Sequence, residues 1–270
     1  MNLKPKNVVI LPALLGVAQK NGFAVGAFNS RYSSMIAPAL LGAQKMQSPV
    51  IIEIAEIELE FYDITLGKFA AQFWKDVIDL EITVPVGLHL DHTKNTDNIE
   101  VAISCGFSSV MIDASAKPLE ENIAITKEVV QYAHSRGVGV EAELGRIASG
   151  DSIEGTSDEE LYTEPGEAEY FVKQTGVDAL AVSIGTAHGA YLVREPKIDL
   201  ERLAAIRERT AVNIVLHGGS GTPSEMIKAA IKSPGGGVSK INIATDLEVV
   251  LYAEMGIEER ISEAEMNKKD

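Results

Sequence analysis

The chain has 270 residues, 46% hydrophobic and 23% charged, which is apolar mass for a sizeable core and excludes a disordered tail or a low-complexity filament. Lysine and arginine total 24 against 39 aspartates and glutamates, a net charge of −15 that repels nucleic acid and anionic lipid, so neither is an expected partner. The single cysteine, Cys105, excludes an internal disulfide and a thiolate metal cage, and points to a reducing, cytoplasmic compartment.

At the N-terminus, Lys4 and Lys6 precede an apolar run from Val8 to Ala18. That order resembles a signal peptide, but Pro12 interrupts the run and no A-x-A cleavage site follows, so secretion is not expected. No uncharged stretch approaches the ~18–20 apolar residues of a membrane span. Short β-rich runs then recur, at Phe23–Asn29, Val50–Ala55, Val84–Asp91, Ser108–Asp113, Val138–Glu143, Ala179–Ile184, Val212–His217 and Lys240–Ile243. Amphipathic segments between them include Ser34–Gln47, Leu119–Ser135, Glu167–Thr175, Leu200–Glu208 and Pro223–Lys232. Gly137 and Gly176 stand where helix C-caps belong. Seven steps from residue 23 to residue 240 average about 31 residues, the size of one βα unit. Eight such units predict an α/β fold of (β/α)₈ TIM-barrel type, a single domain over residues 1–270. An open doubly wound sheet is the rival, but no G-x-G-x-x-G follows the first strand.

In a TIM barrel the chemistry collects at the C-terminal ends of the strands. Here those ends carry Asn29, Asp91-His92, Asp113, Glu143, His188 just past the sixth strand, His217 and Asn242. Alternation within Leu88-His89-Leu90-Asp91 turns the leucines to the helices and His89 and Asp91 inward; Glu141 and Glu143 also turn inward. Buried acids are costly unless paired or metal-bound, so acids beside histidines at a barrel mouth predict a metal. Three imidazoles with an open fourth position make a catalytic zinc site, and His92, His188 and His217 come from three separate βα junctions. Other first-row metals suit the same donors. His134, near a helix C-terminus, is read as structural. The loops His217–Gly221 and Asn242–Thr245 each lead toward a helix start, the usual phosphate site after barrel strands seven and eight.

Taken together, the strings AFN (27–29), SPVII (48–52), LHLDH (88–92), GFSSVMID (106–113), VEAELGR (140–146), TGVDALAVSIGTAHGAY (175–191), LHGGSG (216–221) and KINIATD (240–246) run in order along nearly the whole chain. They resemble the class II, zinc-dependent fructose/tagatose-bisphosphate aldolases, in the shorter ketose-bisphosphate aldolase branch. The resemblance implies Zn2+ held by His92, His188 and His217, with Glu143 near an alternative metal position. It implies Asp91 as the catalytic acid/base, and Gly189, Gly218, Gly219, Ser220, Asn242, Ile243, Ala244 and Thr245 as the cradle for dihydroxyacetone phosphate. Asn29 is carried over as a substrate contact. A monovalent cation (Na+ or K+) near Gly189 and Gly218–Ser220, a homo-oligomer (dimer or tetramer) and a glycolytic role are implied as well.

Departures from the family pattern carry expectations of their own. Relatives usually have G-G-x-E-D after ELG, a loop acid that exchanges the C3 proton; here Asp151 aligns best with it and Glu154 competes. Glu53-Ile54-Ala55 stands where relatives often have Gln-x-Ser, placing an acid near the sugar. Leu192 replaces a lysine that contacts phosphate in many relatives, with Arg194 close by. Ser233–Gly237 reads as a small insertion on the face opposite the site, and the family's final helix is not found before Asp270. The expected activity is reversible cleavage of a ketose 1,6-bisphosphate, fructose or tagatose type, to dihydroxyacetone phosphate and an aldehyde such as glyceraldehyde 3-phosphate. A sugar-phosphate-binding protein of weak activity and a zinc-assisted hydrolase are the rival readings.

Overall fold

Each β-rich run pairs in parallel with a neighbour, and the first pairs with the last. A computed structural model describes residues 5–149, 162–188 and 196–256, with 148, 149 and 188 described by their backbone. Its strands are β1 (Val25–Asn29), β2 (Val50–Ala55), β3 (Val86–Thr93), β4 (Ser109–Ile112), β5 (Gly139–Leu144), β6 (Ala148–Ser149), β7 (Ala179–Val182), β8 (Ala187–His188), β9 (Asn213–Leu216) and β10 (Val238–Ile243). Eight of them close a parallel barrel in the order β1-β10-β9-β7-β5-β4-β3-β2, while β6 and β8 pair with each other outside it. Every predicted strand is present, its ends displaced by at most two residues.

The helices that return the chain are α1 (Leu11–Asn21), α2 (Ile36–Met46), α3 (Glu56–Phe61), α4 (Leu66–Asp79), α5 (Thr96–Ser104), α6 (Leu119–His134), α7 (Pro165–Thr175), α8 (Leu200–Arg209), α9 (Ser224–Ile231) and α10 (Thr245–Glu254). Gly176 caps α7 in the left-handed region at φ 69°, as its position after Thr175 predicts. His134 ends α6 and lies 2.8 Å from Asp178 Oδ2, which also accepts from the Val140 N–H, so this histidine ties a helix end to the barrel floor. The 233–237 loop packs on that same floor, Gly235 against Arg207 and Gly236 against Gln19 of α1. Among the described residues no helix is long and apolar enough to cross a membrane.

Strand alternation divides the burial into two cores. Outward-facing Ile52, Leu88, Leu90 and Val140 join helix residues such as Phe69, Phe73 and Phe171 in the outer core. Inward-facing Val25, Ala27, Ile51, Met111, Ala181 and Val215 join Leu11, Leu14, Leu15 and Ala18 of α1 in the inner one. The apolar run at the N-terminus is therefore a plug under the barrel. Pro12 does not interrupt it: proline in the first turn lacks only an N–H that has no helical partner there, so it opens α1. Burying each of these leucines contributes roughly 1.5–3 kcal/mol. The plug fits because β5 begins at Gly139, where a Cβ would come within 2.6 Å of Pro12 Cδ. Among these apolar side chains the interior also turns ionic, with Glu53, His89, Glu141 and Lys240 all fully buried, Glu141 in register with Met111 and Lys240 with Val215. Above this interior lies the polar mouth.

Candidate active site

On a regular strand, consecutive side chains point to opposite faces. Alternation that turns Asp91 inward should therefore send His92 outward, yet both reach the mouth. The register between β3 and β4 shifts between Leu90 and Thr93, and His92 takes φ 40°. Such a conformation in a residue with a Cβ costs on the order of 1–3 kcal/mol, and this bulge is what re-aims the imidazole. The His92 N–H donates to Met111 Sδ at 3.4 Å. His217 needs no such device, because it shares inward parity with Val215.

The two imidazoles meet edge to face, with His92 Nε2 2.8 Å from His217 Nδ1. Each ring's other nitrogen meets a carboxylate: His92 Nδ1 lies 3.1 Å from Asp113 Oδ2, and His217 Nε2 lies 2.9 Å from Glu141 Oε1. Glu143 Oε2 is 3.9 Å from His92 Nδ1 and 3.9 Å from His217 Nδ1. Two ring lone pairs opposed at 2.8 Å repel unless a proton or a cation stands with them. Asp91, His92 and His217 bring ligand atoms within 4.8 Å of one another, and so do His92, Asp113 and Glu143. Neutral imidazole and carboxylate donors in such a cluster fit zinc.

Electrostatics point the same way. Burial works against the His92 imidazolium, but Asp91, Asp113 and Glu143 outweigh it and raise its pKa to about 10. Burial pushes the Glu143 carboxyl up to about 8, against the opposing pull of His92. Burial pushes the Asp113 carboxyl up, but the hydrogen bond and charge of His92 together with the Ser115 hydrogen bonds outweigh it and hold Asp113 well below the usual carboxylate range. At pH 7 the metal-free site thus carries protons on His92 and Glu143, both of which a cation must displace. Zn2+ binding is expected to release at least one proton at pH 7 and to tighten as pH rises, through about 8 where Glu143 loses its proton and on to about 10 where His92 does. Calorimetry in buffers of differing ionisation enthalpy counts the protons, and a count of zero contradicts the arrangement.

Asp91 is 2% exposed, and its Oδ1 accepts from Asn242 Nδ2 at 3.2 Å. The Asn29 amide sits 3.5 Å from Asp91 Oδ2 and, on its other side, 2.6 Å from Glu58 Oε2. Glu58 also takes the Arg31 guanidinium at 2.9 Å, and burial raises its carboxyl to about 7 despite that cation. Below Asp91, Lys240 Nζ lies 2.9 Å from Glu141 Oε2 and 3.2 Å from Glu53 Oε2. Burial disfavours the ammonium, but Glu141 and Glu53 outweigh it and raise the Lys240 pKa. His89, 2.8 Å from Ser109 Oγ, is kept neutral by burial and by Lys240. Lys240, Glu58 and Arg31 were not singled out by the sequence, although inward parity with Asn242 marks Lys240.

Across the cleft, of about 790 Å³, Gly218, Ser220, Ala244 and Thr245 form the facing wall. Gly218 has φ 67°, and a Cβ there would fall 2.3 Å from the carbonyl oxygen of Ala187 in β8. Ser220 Oγ accepts the N–H groups of Ala244 and Asp246 at 3.1 and 3.2 Å, stitching the two loops together. Gly219 and Ile243 stand behind this wall: the Gly219 N–H donates to the Asn242 carbonyl at 3.1 Å, and Ile243 packs on the outer core. The backbone of His188 lies in β8 opposite Ser149. Its side chain, and Asp151, Glu154, Gly189, Leu192 and Arg194, lie outside the described residues.

The sequence profile of the family described as "Fructose-bisphosphate aldolase class-II" matches residues 10–270. The fructose-bisphosphate aldolase of Geobacillus stearothermophilus is 40% identical over 246 residues, covering 90% of this chain and 83% of that protein. The fructose-bisphosphate aldolase of Giardia intestinalis is 36% identical over 262 residues, covering 89% and 80%. Among solved structures, the YdjI aldolase from Escherichia coli K12 superposes with a TM-score of 0.78 at 32% identity, covering 92% of this chain and 86% of that one. A putative fructose-1,6-biphosphate aldolase from Coccidioides immitis gives 0.76 at 32% identity, with 92% and 85% covered.

Proposed function

The chain belongs to the class-II fructose-bisphosphate aldolase family, and on that premise we propose that it reversibly cleaves a ketose 1,6-bisphosphate of fructose or tagatose type to dihydroxyacetone phosphate and an aldehyde such as glyceraldehyde 3-phosphate. The observation that carries the reading is the Asp91 carboxylate lying against the His92–His217 pair at the mouth of the barrel, opposite the glycine loops. His92 and His217, with His188 and with Glu143 at an alternative position, would hold zinc. When bound there, zinc supplies a Lewis acid for the negative charge that cleavage places on the ketone oxygen.

The chain's own groups do the rest. Asp91 takes the proton of the C4 hydroxyl, the C3–C4 bond breaks with its electron pair left on C3, and C4 departs as an aldehyde. Asn242, donating to Asp91, holds the carboxylate at that hydroxyl. Backbone N–H groups around Gly218, Ser220 and Thr245 anchor the C1 phosphate, with Ala244 held in the same wall by Ser220 Oγ and Asn29 beside the sugar, and fix the reacting carbons relative to Asp91. Asp151 or Glu154 exchanges the C3 proton. A monovalent cation beside the Gly218–Ser220 backbone, a cytoplasmic location and a homo-oligomer belong to the same proposal. Val249, Val250 and Met255, solvent-facing in and just after α10, suit a covering second copy.

An aldolase without a metal needs a neutral lysine to form an imine with the ketone. Lys240 points into the barrel, but it is clamped as an ammonium between Glu141 and Glu53, which favours the electrophilic route. The test is cleavage of fructose and tagatose bisphosphates with dihydroxyacetone phosphate as readout. Turnover is expected to disappear with a chelator and return with zinc, and borohydride added with dihydroxyacetone phosphate should leave activity intact. Chelator-resistant turnover, or inactivation by borohydride, overturns the reading.

A further inference from the structure

An imidazole can offer either nitrogen to a metal, and the group that meets the other nitrogen decides which. The two histidines at the mouth are oriented in opposite senses. His92 gives Nδ1 to Asp113 and turns Nε2 to the centre, whereas His217 gives Nε2 to Glu141 and turns Nδ1 to the centre. The Asn242 amide also lies near His217 Nε2, at 3.3 Å, but the contact to Glu141 Oε1 is shorter at 2.9 Å. A carboxylate accepts only, so the hydrogen belongs on Nε2 and the lone pair on Nδ1.

Glu141 is itself held. Its Oε2 takes Lys240 Nζ at 2.9 Å, with His89 Nε2 3.6 Å away, and Lys240 is braced on its far side by Glu53 at 3.2 Å. His217, Glu141, Lys240 and Glu53 are each 0% exposed. Placing the charges of Glu141, Lys240 and Glu53 in a dry interior carries a large desolvation cost, and well-packed aliphatic side chains of similar volume do as well or better for stability. Apolar side chains fill the same interior alongside them, Met111 in register with Glu141 and Val215 in register with Lys240. The ionic groups therefore call for a role other than holding the fold together.

We propose that Glu141 is a positioning residue for His217, and that Lys240, braced by Glu53, locks the Glu141 carboxylate so that His217 can offer only Nδ1. Glu141 and Lys240 act through the ring above them, and Glu53, which also lines the cleft, acts on that ring through Lys240. The inference rests on the reading of His217 as a metal ligand.

The experiment compares metal-stripped wild type with Glu141→Gln and with the double variant Glu141→Leu/Lys240→Met, which removes both charges of that pair and leaves Glu53, whose carboxyl burial already pushes up, to take a proton and stay neutral. Zn2+ affinity is read by competition with a chromophoric chelator, and the tautomer of His217 by ¹⁵N–¹H correlation of the imidazoles in the metal-free proteins. The double variant is expected to keep its circular dichroism and melting temperature, to bind zinc 10–100-fold more weakly on the order typical of lost outer-shell partners, and to lose the pure Nε2–H tautomer. Glu141→Gln, which still offers an acceptor, should recover part of the affinity. Affinity within about twofold of wild type in a folded double variant, or an Nδ1–H tautomer in wild type, overturns the proposal. A wild-type protein that binds no zinc would defeat the aldolase reading instead, and the tautomer measurement would still decide the role of Glu141.

Discussion

Replacing Asp91 by alanine is expected to slow cleavage by a factor on the order of 10²–10⁴ while zinc remains bound. The size follows from what the carboxylate does: among the described residues, Asp91 is the acid that the Asn242 amide holds against the histidine pair. The loss should fall on kcat, with KM for the bisphosphate little changed, because the glycine wall that anchors phosphate does not include Asp91. Steady-state kinetics together with metal analysis of the purified variant check both halves. Near-normal turnover would remove Asp91 from its role.

Gly218→Ala is expected to be the most disruptive single-atom addition at the site. A left-handed backbone at φ 67° disfavours any Cβ by roughly 1–2 kcal/mol, and overpacking typically adds about 1–3 more. Here the added carbon would fall 2.3 Å from the Ala187 carbonyl, so the phosphate loop must move away from β8. Because β8 also carries the His188 backbone, a single shift disturbs the anion wall and the strand of a candidate ligand together. We expect a stability loss of about 2–5 kcal/mol in thermal unfolding, a KM rise of at least about tenfold and weaker zinc binding. A variant with unchanged melting and unchanged KM would show that the loop is not held against β8.

The barrel was legible in the sequence because its strands are short apolar runs at a regular spacing, and because a period of two tells inside from outside. Glu141, Glu143, His89 and Asp91 were turned inward by that rule, as the structure has them. The same rule fails at His92, where a one-residue bulge reverses the parity and no local pattern in LHLDH signals it. The rule also says nothing about partners. Lys240 sits in KINI as an inward lysine, but only strand order places it between residues contributed by β2 and β5. The plug helix was missed for a different reason. Pro12 has opposite meanings in the middle of a helix and in its first turn, and the choice depends on where the first turn falls. The Arg31 contacts to Glu58 and Glu248 join segments from opposite ends of the chain and have no local signature.

The plug and the closing seam also set the order in which this molecule can be made. Val25 pairs with Lys240, and the leucines of α1 rest against Val215, so the earliest part of the chain waits for nearly the last before its apolar face is covered. Contacts so distant in sequence slow folding and prolong the exposure of sticky intermediates. A nascent chain leaving the ribosome carries α1 uncovered through most of its synthesis. Asn242 reaches Asp91 only once β10 has docked, so a partly folded chain lacks the Asn242 hydrogen bond that holds Asp91 at the mouth.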